Sequence, residues 1–91
     1  MEIKTDKERY YRDSSFPIAL FLYAKGEMIA GVNPADRPGV KEFAFPRTPR
    51  LEELLQKYKF GDRNDPSLLV QVHTYEQARR ELLDLLNDRS R

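Results

Sequence analysis

Phe16-Pro17-Ile18-Ala19-Leu20-Phe21-Leu22-Tyr23-Ala24-Lys25-Gly26 is the most apolar run of the chain, and whether it is a helix or a strand decides the fold. Periodicity does not separate the two, because a short continuous apolar run suits a buried strand as well as a buried helix. Its flanks do. Ser14 and Ser15 precede it, and a serine N-cap accepts a hydrogen bond from an N–H of the first turn. Pro17 is tolerated there, because its missing N–H would have had no partner within the helix. At the other end Lys25 suits the negative pole of the helix, and Gly26 supplies a left-handed C-terminal cap. These signals predict a helix from about Phe16 to Lys25. It is apolar nearly all round, so it must be covered on several sides.

The cover is sought in the rest of the chain. Met28-Ile29-Ala30-Gly31-Val32 reads as a short strand, and Asn33 to Gly39 is a run of turn formers. Within that run Arg37-Pro38-Gly39-Val40 fits a type II turn, with Pro38 setting φ and Gly39 supplying φ > 0. Val40 to Phe45 alternates, with Phe43 and Phe45 on one face of a half-buried strand. An antiparallel hairpin with a long connection results. Thr48-Pro49 then opens a helix whose Leu51, Leu54, Leu55 and Tyr58 form one apolar stripe. Gly61 closes it, and Phe60 is expected to fold back onto the core.

Asp62 to Ser67 is a polar loop. Residues 68–72 suit either a third strand or an early extension of the last helix. Thr74-Tyr75-Glu76-Gln77 matches a capping box, followed by a stripe of Tyr75, Ala78, Leu82, Leu85 and Leu86. Glu76 with Arg80, and Arg80 with Asp84, have ion-pair spacing, and the helix is expected to fray through Asn87 to Arg91. Residues 1–13 read as a polar arm, partly disordered and docked through a tyrosine near its end. The expectation is a single α+β domain over residues 14–88, in the order α-β-β-α-α.

Composition narrows the function classes. The chain has 91 residues, no cysteine, and 16 Lys plus Arg against 15 Asp plus Glu, a net charge of +1. That balance produces no global field favouring nucleic acid or an anionic membrane. Met1-Glu2-Ile3-Lys4 does not read as an apolar leader, so none is expected, and the Phe16 to Ala24 run is about half of the ~18 residues a spanning helix needs. A soluble, cytoplasmic protein with no membrane contact is expected, and a small core without disulfides favours a homo-oligomer.

Tyr11-Arg12-Asp13-Ser14 leading into Leu20-Phe21-Leu22-Tyr23-Ala24-Lys25-Gly26, followed by Gly31-Val32, Phe43-Ala44-Phe45 and the Val70 to Leu86 segment, resembles a small bacterial and phage family of domains of unknown function. The resemblance covers the chain from about Tyr10 onward and implies the α-β-β-α-α order. It implies no activity and carries no functional residues. Its phage and mobile-element context points toward nucleic-acid association or regulation. The long Asn33 to Gly39 connection and the residues from Asn64 to Leu69 depart from the family's pattern.

No catalytic constellation is visible. His73 is the single histidine and has neither a base partner nor companion ligands. Glu52 and Glu53 are adjacent on a helix and point apart, which suits surface charges near a helix N-terminus better than an acid/base pair. Asp62, Asn64 and Asp65 lack the spacing and distal glutamate of a calcium loop. No cofactor is expected. Lys41, Arg47 and Arg50, near Phe43 and Phe45, are the candidate nucleic-acid-binding residues, by phosphate contact and stacking. The expectation is a non-enzymatic interaction module making protein contacts, self-association included. The alternative is a nucleic-acid-binding accessory protein of a phage or mobile element. Leu20→Asp places a charge inside the predicted core and should unfold or precipitate the protein; a soluble mutant with an unchanged circular dichroism melt would refute the core assignment.

Overall fold

A computed structural model describes residues 9–87. The expectations for residues 1–8 and for the fraying 88–91 segment lie outside the described residues. The order is β1 (Tyr10–Asp13), α1 (Phe16–Ala24), β2 (Gly31–Pro34), β3 (Lys41–Pro46), α2 (Pro49–Phe60), a 3-10 turn (Pro66–Leu68) and α3 (Val72–Asn87). The three strands form one antiparallel sheet in the order β1-β3-β2. The fold class is α+β. Among the described residues no helix is long and apolar enough to cross a membrane.

α1 is built as its flanks dictate. Ser15 Oγ accepts from the Ile18 N–H at 3.4 Å. At the far end Gly26, at φ +98°, turns the chain so that its own N–H donates to Tyr23 O and the Glu27 N–H to Leu22 O, each at 3.0 Å. Together these two bonds form a Schellman motif, which satisfies the last carbonyls of the helix. Ala19, Leu20, Phe21 and Leu22 are four successive buried residues, so the helix does have cover all round. Phe43 and Phe45 of β3, Leu51, Leu54 and Leu55 of α2, and Ala78 and Leu82 of α3 supply it. Burying a Leu or Phe side chain is worth roughly 1.5–3 kcal/mol, against about 1 kcal/mol for an N-cap. The caps therefore place the ends of α1, and packing supplies most of its stability.

The sheet is larger than a hairpin. Tyr10–Asp13 pairs with β3 in the register Tyr11↔Phe45 and Asp13↔Phe43, and the Arg47 N–H extends the ladder to Arg9 O at 2.9 Å. These four residues, expected as the end of a polar arm over residues 1–13, thus belong to the sheet. Tyr11 packs against the core and is the docking tyrosine. Asp13 joins the strand to the helix: its Oδ1 accepts from the Ser15 N–H at 2.8 Å and its Oδ2 accepts from the Tyr11 hydroxyl. On the other side, β2 begins at Gly31, later than the expected Met28. The turn before β3 is as expected, with Gly39 at φ +77° and the Val40 N–H donating to Arg37 O at 3.2 Å.

The final third differs most from expectation. Residues 68–72 form no strand. Asp65 Oδ1 accepts from the Ser67 N–H at 2.9 Å and starts the 3-10 turn, and α3 begins at Val72. The Tyr75 N–H already donates to Gln71 O at 2.9 Å, so Thr74 lies inside the helix and the capping box does not form. Phe60 stays 76 % exposed and does not fold back. Neither Glu76–Arg80 nor Arg80–Asp84 closes into an ion pair; Glu76 lies 3.9 Å from His73 instead. Leu82, fully buried, belongs to the cluster that covers α1. Leu82→Ala should cost about 2–5 kcal/mol, read as a lower urea midpoint at unchanged slope.

Candidate functional site

The three basic candidates do not form one patch. β3 is six residues long, which at ~3.3 Å per residue separates its ends by about 20 Å. Lys41 stands at the first end, where its Nζ donates to Leu86 O at 2.8 Å and satisfies a terminal carbonyl of α3. Arg47 and Arg50 stand beyond the other end, beside the start of α2. Arg47 Nη1 lies 2.6 Å from Glu52 Oε2, and its guanidinium lies 5.6 Å from the Tyr11 ring centroid. Arg50 pairs with Glu27 and donates through Nη2 to Lys25 O at 2.6 Å, clamping the segment after α1 onto α2. Phe43 and Phe45, at 1 % and 0 % exposure, are core and offer no ring face for stacking.

Other residues weighed for chemistry have local structural duties. Asp62 Oδ1 accepts from the Asn64 N–H at 2.9 Å, and Asp65 accepts from both the N–H and the hydroxyl of Ser67. Those two bonds hold the Asp65 carboxyl below its ordinary range. Among the described residues no group of three or more His, Asp or Glu is placed to hold a metal ion. Tyr11 is raised well above the usual phenol range, first by burial and then by its hydrogen bond to Asp13. With Lys59 Nζ at 5.7 Å from its centroid as well as Arg47, Tyr11 fastens β1 to α2.

Two surface features stand apart from these connectors. The first is an apolar end where α1 starts, α2 finishes and α3 begins. A cleft of about 330 Å³ there is lined by Pro17, Phe21, Tyr58, Leu68, Leu69 and Tyr75 among others. Phe21 and Tyr58 meet within it with their rings tilted by 40°, at 4.9 Å between centroids. Tyr58, Leu69 and Tyr75, three of the seven exposed large apolar residues among the described ones, line this cleft, and exposed Phe60 and Val72 lie within three positions of them in the chain. The second feature is a groove beside β2, of about 550 Å³, whose walls include Met28, Ile29, Val32 and Leu85. Tyr23 and Met28 also line an adjoining depression that reaches Gln77 and Glu81 on α3.

No family model, curated protein or solved structure matches the chain. Chemistry therefore has to be read from the surfaces themselves. Both were missed in sequence because their residues come from elements far apart in the chain. The one available signal was the set of apolar residues outside any helical stripe: Met28, Phe60, Leu69 and Val72.

Glu81 is the anchored charge of the second feature. Its Oε1 accepts from the Tyr23 hydroxyl, and its Oε2 accepts from Gln77 Nε2 at 3.1 Å. The Tyr23 bond, then the Gln77 bond, lower its pKa from the ordinary 4.5. The same Tyr23–Glu81 bond, ahead of burial, raises the tyrosine above its ordinary 10.0. For a carboxyl lowered on folding, the stabilisation is present above the unfolded value and is lost as pH falls through the folded one. Tyr23→Phe removes the larger cause. The urea midpoint of this variant should fall less steeply than that of the native protein between about pH 5 and pH 3; equal slopes would show that the contact does not affect the titration.

Proposed function

We propose that the chain is a non-catalytic protein-interaction module that associates with a second copy of itself through its apolar end. The observation that carries this reading is the gathering of Tyr58, Leu69 and Tyr75 around one cleft, with Leu69 at 72 % exposure. Taking roughly 150–250 Å² for a large apolar side chain, these three residues leave on the order of 300 Å² uncovered. That is at the lower end of the roughly 300–600 Å² found for the largest patch on a monomer, and well short of the ~800 Å² per partner of a standard interface. An area of this size suits a reversible dimer better than an obligate one. A twofold contact sets the same aromatic patch against itself and closes without leaving a surface for further growth, and aromatic rings are the side chains enriched in such contacts.

Nucleic-acid binding has less support. Arg47 and Arg50 are held by carboxylates, and the Phe43 and Phe45 rings are buried. Sedimentation velocity should show a dimer fraction that rises with protein concentration and is abolished in the Phe60→Ser, Leu69→Ser double variant. Both sites are exposed, so the variant should keep the native thermal midpoint. A native protein that stays monomeric at millimolar concentration, or a double variant that dimerises equally well, would overturn the reading.

A further inference from the structure

The groove beside β2 lies on a different part of the molecule from the apolar end and has a different chemistry. Among the described residues β2 is an edge strand, paired with β3 alone. The Ala35 N–H donates to Val40 O at 2.8 Å, and in the register Gly31↔Ala44 and Asn33↔Glu42 the alternation of an antiparallel ladder turns the groups of Gly31 and Asn33 toward β3. The N–H and C=O of Val32 therefore face the open edge. Pro34, next on that edge, has no N–H to offer. A strand laid here gains two backbone bonds at Val32, and the remaining affinity must come from side chains.

The walls say which side chains. Beside Val32 the groove is bounded by Ile29, Leu85 and Met28, whose flexible side chain is 71 % exposed, and by Lys41, whose Nζ donates to Leu86 O at 2.8 Å. One turn back along α3 from Leu85 stands Glu81, held in place by Tyr23 and Gln77. One helical turn of four residues advances about 6 Å, close to the roughly 6.6–6.8 Å between side chains two apart on one face of a strand. We infer that this groove binds an extended segment of another protein by strand addition at Val32, with an apolar side chain against Leu85 and a lysine or arginine two residues away against Glu81. Backbone pairing with side-chain pockets for alternate residues is an established mode of peptide recognition. The Glu81 carboxylate, ionised at neutral pH like any glutamate, supplies the charge complementarity.

Four blocked heptapeptides, Ser-Thr-Xaa-Thr-Lys-Thr-Ser with Xaa as Val, Leu, Ile or Phe, test this by amide chemical-shift titration of the 91-residue chain. At least one should bind with Kd below about 1 mM and shift the amides of Val32, Glu81 and Leu85. Replacing its lysine by norleucine, which keeps the aliphatic stem and removes the charge, should weaken binding about fivefold, the scale of a partly exposed ion pair. Glu81→Gln should erase that difference while leaving the rest of the spectrum in place. The norleucine comparison uses the native protein, so it stands whether or not the variant folds. Absence of binding by all four peptides, equal binding of the norleucine peptide to the native protein, or shifts confined to Tyr58, Leu69 and Tyr75 would overturn the inference. So would shifts at Val32 and Leu85 that follow protein concentration without peptide, which would assign the groove to a second copy. Loss of dimerisation in the Phe60→Ser, Leu69→Ser variant with peptide binding intact would separate this groove from the self-association surface.

Discussion

A nine-residue helix with no polar face governs this structure. An amphipathic helix needs one covering layer, whereas α1 buries Ala19, Leu20, Phe21 and Leu22 in succession and so presents apolar surface in every direction. No single element of a chain this small can enclose it. The sheet lays Phe43 and Phe45 on one side, and α2 and α3 close the others with Leu51, Leu54, Leu55, Ala78 and Leu82. The connections before and after α1 are shaped by that need, because each must leave the helix sharply enough to let its neighbours close in.

Polar groups finish what the core begins. Asp13 ties β1 to the start of α1, and Glu27 with Arg50 ties the exit of α1 to α2. Tyr11 lies against Arg47 and Lys59, which come from opposite ends of α2 and its approach. Exposed ion pairs contribute little each, about 0–1 kcal/mol, so these contacts are better understood as fixing the relative placement of the elements than as the source of stability. The basic residues that looked available for a ligand are, in the main, used as connectors.

What was legible in the sequence acted over short distances. Ser15, Pro17, Gly26, Thr48, Pro49 and the Pro38-Gly39 pair each work on backbone groups within a few residues, and each does locally what its chemistry implies. Strand β1 was hidden because Tyr10-Tyr11-Arg12-Asp13 turns only one large ring inward, and its partner Phe45 lies far along the chain. Thr74 carried a capping signal, but the helix already starts at Val72, with the Tyr75 N–H donating to Gln71 O at 2.9 Å. Lys41, Arg47 and Arg50 are near one another in sequence, but an extended strand is the conformation that separates neighbours most. Glu81 and Tyr23 had no sequence signal at all, since their proximity exists only once α1 and α3 are packed.

Pro34 has a consequence for the behaviour of the protein in a crowded solution. An exposed edge strand with a continuous row of donors is a template on which further chains can stack, and cross-β assemblies grow by repeating that step. On the β2 side the row is interrupted after Val32, because Pro34 contributes no N–H and Ala30 spends its own on Ala44 O at 2.7 Å. This margin of the sheet offers a foothold one residue long. It is suited to a short guest and resists propagation into a fibril.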